Sequence, residues 1–258
     1  FEFIEGAAIS SFSVLPSSLA LDDDRVYYYS SVLENADRKS FLIMNDNAHS
    51  EPVFSKDKNN IFTMGSIIFE ADLDTFEVIE SIYAKDKNYV YKFSNIISMA
   101  DPRSFQLLDY SFAKDSMNLY FLEAQEHLIG LYDSSFHAFS KEYYKKSDGI
   151  FYTFNSRRLS ASDSQFVLYE NGLVVISGFV FYKDRKIIDL KGSSFKPLSN
   201  YHFQFKNDIY YKDTKYINVD GNSFEQIDFP FSRDKDHLFY ECKPIKGSDP
   251  KSFRELFD

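Results

Sequence analysis

Ala84-Lys85-Asp86-Lys87-Asn88-Tyr89-Val90-Tyr91, with Asp101-Pro102-Arg103-Ser104-Phe105 shortly after it, carries the pattern that decides the fold. Asp86, Lys87 and Asn88 interrupt two short runs rich in β-formers. Asp and Asn side chains bond their own backbone and tolerate left-handed conformations, so the triplet predicts a tight turn between strands. Asp101-Pro102 predicts a second turn, Pro fixing φ and Asp accepting a nearby N–H. Val90 and Tyr91 are adjacent and large, and neighbours on a strand point to opposite faces. The pair therefore predicts a strand covered on both sides, as stacked repeats require.

The same features recur along the chain. A Ser or Thr followed by Phe, two variable residues and an apolar one places Phe at positions 12, 41, 76, 105, 136, 166, 195, 224 and 253, with gaps of 29, 35, 29, 31, 30, 29, 29 and 29. Gln165 alone breaks the Ser/Thr rule. An apolar–aromatic pair falls between these motifs at Val26-Tyr27, Ile61-Phe62, Val90-Tyr91, Leu119-Tyr120, Phe151-Tyr152, Val180-Phe181, Ile209-Tyr210 and Leu238-Phe239. Five residues before the aromatic stands Asp22, Asp57, Asp86, Asp115 or Asp234, and four before the motif Phe stands Asp37, Asp72, Asp101, Asp220 or Asp249. This is a single tandem-repeat β domain over 1–258, built of eight repeats of about 29 residues with three or four short strands each. Ile4-Glu5-Gly6-Ala7 corresponds to Ile245-Lys246-Gly247-Ser248, which leaves an N-terminal half repeat. That remainder favours an open, solenoid-like all-β array, with a β-propeller as the alternative. Motif Phe and apolar–aromatic pairs are expected to be buried in every copy, and Asp86, Asp101, Asp234 and Asp249 to lie in turns.

Composition bounds the function. The 258 residues include 28 Phe and 19 Tyr but no Trp, and their net charge of −10 argues against nucleic acid, which needs a basic footprint. Cys242 is the single cysteine, so no intrachain disulfide forms and a cytoplasmic, reducing compartment is favoured. The chain starts at Phe1 and not Met, which keeps a periplasmic or envelope location as the alternative. No apolar run approaches the roughly 20 residues of a membrane span.

Catalysis finds no footing. His49, His127, His137, His202 and His237 are scattered without metal-ligand spacing, and no phosphate loop, nucleophile elbow or dinucleotide fingerprint is present. Cys242 reads as a small packing residue. Asp22-Asp23-Asp24 could suggest calcium, yet the repeated Asp positions are followed by Lys or neutral residues, and their register with the strands favours turn formation. The expectation is a non-enzyme without cofactor or metal.

Ser55-Lys56-Asp57-Lys58-Asn59-Asn60-Ile61-Phe62, Ala84–Tyr91 and Ser232-Arg233-Asp234-Lys235-Asp236-His237-Leu238-Phe239-Tyr240 resemble the defining motif of the DKNYY family, as does Gly247-Ser248-Asp249-Pro250-Lys251-Ser252-Phe253. The likeness spans nearly the whole chain. It fades where the Asp position is Ser147, Ile176 or Phe205. The resemblance implies a bacterial repeat protein with no catalytic residues to carry over. Because some members sit beside secreted-toxin genes, it also implies an immunity protein that neutralises a toxin domain. The rival is an envelope or surface protein that holds a small ligand or cell-wall polymer in an aromatic-lined groove.

Charge suggests where a protein partner would sit. Residues 1–140 carry a net −12, residues 141–191 a net +3 and residues 192–258 a net −1. The 35-residue gap holds an insertion around Asn45–Pro52, and insertions in repeat proteins map to loops. Asp22, Asp23, Asp24, Asp46, His49 and Glu51 are therefore the expected partner-binding residues, facing a basic toxin domain.

Overall fold

The computed structural model describes residues 4, 7–44, 53–124, 128–161, 164–169, 172–193, 195–198 and 201–252. These fold into eight four-stranded antiparallel sheets, one per repeat, each pairing its strands in chain order and none closing into a barrel. The all-β tandem-repeat class read from the sequence is what the chain adopts. The third sheet is representative: Glu77–Glu80, Tyr83–Lys85, Val90–Lys92 and Asn95–Ile96, with Ala84 opposite Tyr91 and Tyr91 opposite Ile96. The sheets fall into two compact units, Phe1–Tyr132 and Asp133–Asp258, with four in each.

The apolar–aromatic pair explains why consecutive sheets stack. Val90 and Tyr91 are both fully buried, but in different layers. Tyr91 packs with Phe54, Ile61 and Ile68 of the preceding sheet. Val90 packs with Phe105, Ala113 and Tyr120 of the following one. The second unit repeats the rule: Phe181 joins Tyr143 and Ile150 behind it, and Val180 joins Phe203 ahead. Opposite-facing neighbours on an inner strand thus glue the sheet on both sides, each side chain gaining roughly 1.5–3 kcal/mol from burial. All eight pairs are buried except that Tyr210 is only half-buried.

The motif Phe departs from expectation. Phe76 and Phe105 are buried, whereas Phe12, Phe41, Phe136, Phe166, Phe195 and Phe224 are half-buried. Phe253 lies outside the described residues. The motif Phe stands at the start of the first strand, which pairs on one side only, so one flank of the ring is left for whatever loop passes by. In the first unit it rests on the aromatic of its own third strand, with ring centroids 5.7 Å apart for Phe12–Tyr27, 5.9 Å for Phe41–Phe62, 5.6 Å for Phe76–Tyr91 and 5.9 Å for Phe105–Tyr120.

Each sheet has two unlike ends. The hairpin between the second and third strands, which carries the repeat Asp in five of the sheets, lies with the link to the neighbouring sheet; this is the acid end. At the other end, the turn from third to fourth strand opens in six of the sheets on a left-handed residue: Tyr29, Met64, Phe93, Lys183, Lys212 and Glu241 have φ of 52°, 45°, 54°, 56°, 54° and 54°. Such a conformation costs a non-glycine residue about 1–2 kcal/mol. It is held by an N–H donated to the preceding turn, as from Phe93 to the Ile82 carbonyl at 2.8 Å and from Lys212 to the Tyr201 carbonyl at 3.0 Å.

Replacing buried Phe105 by Ala should lower unfolding stability by about 3–5 kcal/mol, the usual loss for a core aromatic. Half-buried Phe41→Ala should lose clearly less. Urea denaturation of the two variants checks the order, and equal losses would contradict this assignment of the core.

Candidate interaction surface

The repeat acids meet at the acid end in one recurring clasp. Asp86 Oδ1 accepts the N–H groups of Asn88 at 2.6 Å and Tyr89 at 2.8 Å, which closes its own turn. Its Oδ2 accepts the Asp72 N–H from the link at 2.8 Å and the Tyr91 hydroxyl at 2.8 Å. Asp72 in turn accepts the N–H and hydroxyl of Thr75 at 3.1 and 2.6 Å, and the Thr75 oxygen accepts the Lys87 N–H at 3.1 Å. Lys87 closes the circuit with an ion pair to Asp72. The hub carboxylate thus ties turn, link and strand together, and each motif residue has a structural duty.

The clasp recurs with Asp57 on the Asp37 N–H at 2.6 Å, Asp115 on the Asp101 N–H at 3.1 Å and Asp234 on the Asp220 N–H at 2.7 Å. Lys58 pairs with Asp37 at 2.8 Å and Lys235 with Asp220 at 3.0 Å. Tyr27 and Tyr120 donate to Asp22 and Asp115 at 2.7 and 2.6 Å, a bond that Phe62 and Phe239 cannot make.

Ionisation follows from this geometry. The Ala8 N–H and the Tyr27 hydroxyl hold Asp22 far below the usual carboxylate range. Burial works against charge on Asp86, yet N–H groups of Asp72, Asn88 and Tyr89 and the Tyr91 hydroxyl keep its pKa depressed. Asp115 behaves alike, burial opposing and Tyr120 with three N–H groups prevailing. The Lys58 ammonium and the Ser40 hydroxyl lower Asp37 to about 2. Burial and the facing carboxylate raise Tyr91 and Tyr120, so their hydroxyls stay protonated donors.

Three repeats lack the hub and solve the turn differently. Ser147 donates its N–H and hydroxyl to Asp133 at 3.3 and 3.1 Å, so the link acid takes over part of the role. At Ile176 and Phe205 the hairpin tightens instead, with Ile176 opposite Phe179 and Phe205 opposite Asp208 around two-residue turns. Ser177 and Gly178, with φ of 49° and 81°, and Lys206, with φ of 57°, supply the left-handed backbone this needs. Between the last two sheets a buried polar chain stands in the core: His202 Nε2 lies 2.9 Å from the Tyr216 hydroxyl, which lies 3.1 Å from Ser232 Oγ.

The expected partner-binding residues divide. Asp22 is a correction: at 2% exposure it is a clasp hub bonded to Ala8, Asp24, Arg25 and Tyr27, so its carboxylate cannot face a partner. Asp23 and Asp24, on the outside of the same turn, are exposed. Asp46, His49 and Glu51 lie outside the described residues. Sequence reasoning passed over Glu34, Glu70, Asp74 and Glu80, all exposed in the first unit. They occupy variable positions of the repeat, and only the exclusion of hub and link acids singles them out. Cys242 is buried, and burial pushes its thiol up to about 11, leaving no thiolate near neutrality.

Concavity appears at the other end of the sheets. In the first unit a cleft of about 220 Å³ is lined by Ser17, Ser18, Tyr28, Tyr29, Met64 and Phe93. Tyr29 and Met64 are 65% and 57% exposed there. In the second unit a cleft of about 380 Å³ is bounded by Glu142, Tyr169, Tyr182, Lys183 and Tyr201. No helix among the described residues is long and apolar enough to cross a membrane.

These features define a class: an all-β tandem-repeat protein whose sheets are locked by buried aspartate clasps. The chain belongs to the DKNYY family, whose model matches residues 2–124 and again 124–258. The defining Asp-Lys-Asn run and the aromatics after it are the hub, the ion-pair partner, the turn and, where Tyr follows, the hydroxyl donor of the clasp. No curated protein and no solved structure matches the chain.

The clasp fixes the pH profile. Carboxylates whose folded pKa is depressed contribute stability above their unfolded pKa of about 3.9 and lose it as pH falls through the folded value. Urea midpoints should hold steady near neutrality and decline between about pH 4 and 2. Asp86→Asn together with Asp115→Asn should lower the plateau and flatten that acid limb. The raised tyrosines add a second loss above about pH 10, where the unfolded phenols ionise and the folded ones do not. A decline beginning between pH 7 and 5 would contradict this account.

Proposed function

We propose that the chain is a non-enzymatic binding protein of the immunity type, which neutralises a basic toxin or effector domain by covering it. The observation that carries this reading is the division of labour among the acids. Hub and link carboxylates are spent on the clasps, while Asp23, Asp24, Glu34, Glu70, Asp74 and Glu80 face solvent in the more acidic first unit. A one-sign surface on a rigid scaffold steers an oppositely charged partner and speeds its capture. The family resemblance supplies the biological setting.

The test is co-expression with the product of the gene beside its own. If that product arrests growth, this chain should restore it, and the purified pair should co-elute. Asp23→Lys with Asp74→Lys should then slow association at low salt and flatten its salt dependence, leaving the melting curve unchanged. A harmless neighbour, or an association rate indifferent to both charge and salt, would overturn the proposal.

A second reading has an observation of its own in the aromatic clefts at the turn ends, with Tyr29 and Met64 exposed. A cell-wall polymer threaded there would be bound equally well by the Asp23→Lys, Asp74→Lys variant and lost with Tyr29→Ala.

A further inference from the structure

We propose that the groove between the outer strands Arg157–Ser160 and Arg185–Asp189 of the second unit binds a small aromatic monoanion, an aryl carboxylate or sulfonate in class. The groove encloses about 280 Å³, with Ile176, Phe179 and Phe181 among its walls, the Arg157–Asp184 pair on one side, and Arg158 and Lys186 at its rim. Pockets for small molecules start near 300 Å³, so the space suits a ring system with one head group and is too small for a folded segment.

Among the described residues the two rim cations make no ion pair, unlike their neighbours. Arg157 pairs with Asp184 at 3.3 Å, and Asn155 donates to the same carboxylate at 2.9 Å. Arg185, next to Lys186 on the strand, pairs with Asp213. Among the described residues, neither Arg158 nor Lys186 has a carboxylate within 4.0 Å. Lys186 instead holds its ammonium 3.2 Å from the centroid of the Phe179 ring. In a chain of net charge −10, a groove lined by Arg157, Arg158 and Lys186 against the single carboxylate of Asp184, among the described residues, is a local reversal of sign.

Gly149 adds an independent observation. A Cβ there would fall 2.6 Å from Arg158 Nε and 2.7 Å from the Ser160 carbonyl oxygen. The strand register shifts at this point, between Ile150 and Phe151. Glycine lets the Arg158 side chain lie across the strand, which sets the guanidinium at the groove. Cations that merely guard an edge strand against pairing with other chains need no such placement. A guanidinium and an ammonium beside the Phe179 and Phe181 rings meet the demands of an anion attached to a flat ring: charge-assisted bonds for the head group, aromatic contact for the body.

The probe is 8-anilinonaphthalene-1-sulfonate, titrated into the full chain at pH 7 and read by fluorescence. One saturable site is expected, weakened by salt, displaced by benzenesulfonate and untouched by the same concentration of sodium sulfate. Arg158→Gln and Lys186→Gln, both at exposed positions, should each weaken binding at least about 10-fold, equivalent to about 1.4 kcal/mol. Arg185→Gln should leave it unchanged, and all three should melt like the parent. Gly149→Ala should weaken it as well, by displacing Arg158 together with the Ser160 backbone. Equal binding to the Arg158→Gln, Lys186→Gln double variant would overturn the proposal. So would equal binding of uncharged N-phenyl-1-naphthylamine, or displacement by sulfate as effective as by benzenesulfonate.

Discussion

A buried aspartate carboxylate that accepts four hydrogen bonds is the interaction on which the rest depends. Left unpaired, such a charge would be expensive to remove from water. Asp86 meets that demand by dividing its oxygens. Oδ1 closes the turn that Asp86 itself begins, and Oδ2 takes a donor from the link and another from its own third strand. A turn-forming Asp that only capped its own turn would leave consecutive sheets joined by their hydrophobic faces alone, which fix separation better than register. The second oxygen converts a local turn into a joint between repeats.

With the acid end held, the apolar–aromatic pair falls into place and the opposite end is released from structural duty. That end is where the side chains diverge: Tyr29, Met64 and Phe93 occupy in the first unit the turn position that Lys183, Lys212 and Glu241 occupy in the second. The backbone is the same at all six, so the variation lies in surface chemistry alone. Where the hub is missing, the hairpin tightens and gains a strand pair. The second unit then carries cations on aromatic faces, as with Lys186 on Phe179 and Lys212 between Tyr201 and Tyr211 at 4.9 and 4.8 Å.

The period was legible because a stack of like sheets must present the same inward residues at the same spacing, so Val90-Tyr91 and its equivalents announce themselves. Turns were legible for a similar reason, since Asp and Asn favour them locally. The hub was not. The repeat register marks Asp22 among Asp22-Asp23-Asp24 as the turn former, but that it is buried and joins two segments shows only once the link residue Ala8 is brought within 3.0 Å of it. Half-burial of Phe41 or Phe195 escaped for the converse reason, since a strong motif does not say how much of each ring its surroundings cover. The Arg158–Lys186 groove joins residues about one repeat apart that only the stacking of two sheets brings to one place, and a linear pattern does not register that.

The clasp also changes how the charge of this chain should be weighed. Of the acids that make residues 1–140 strongly negative, Asp22, Asp57, Asp86 and Asp115 are buried hubs, and Asp37 and Asp72 are matched by Lys58 and Lys87. A hub carboxylate is compensated by N–H dipoles pointed at it, so much of its field is spent within a few ångströms. Solvent-facing carboxylates such as Glu34 and Glu70 stand outside the clasps and project theirs over about a Debye length, 8–10 Å at physiological salt. Formal net charge therefore overstates the attraction a partner would meet, while the placement of the remaining acids sharpens where it would be felt. An acidic balance in a protein of this design is in part a by-product of how its sheets are joined, and a basic partner would answer only to the carboxylates that the joints leave over.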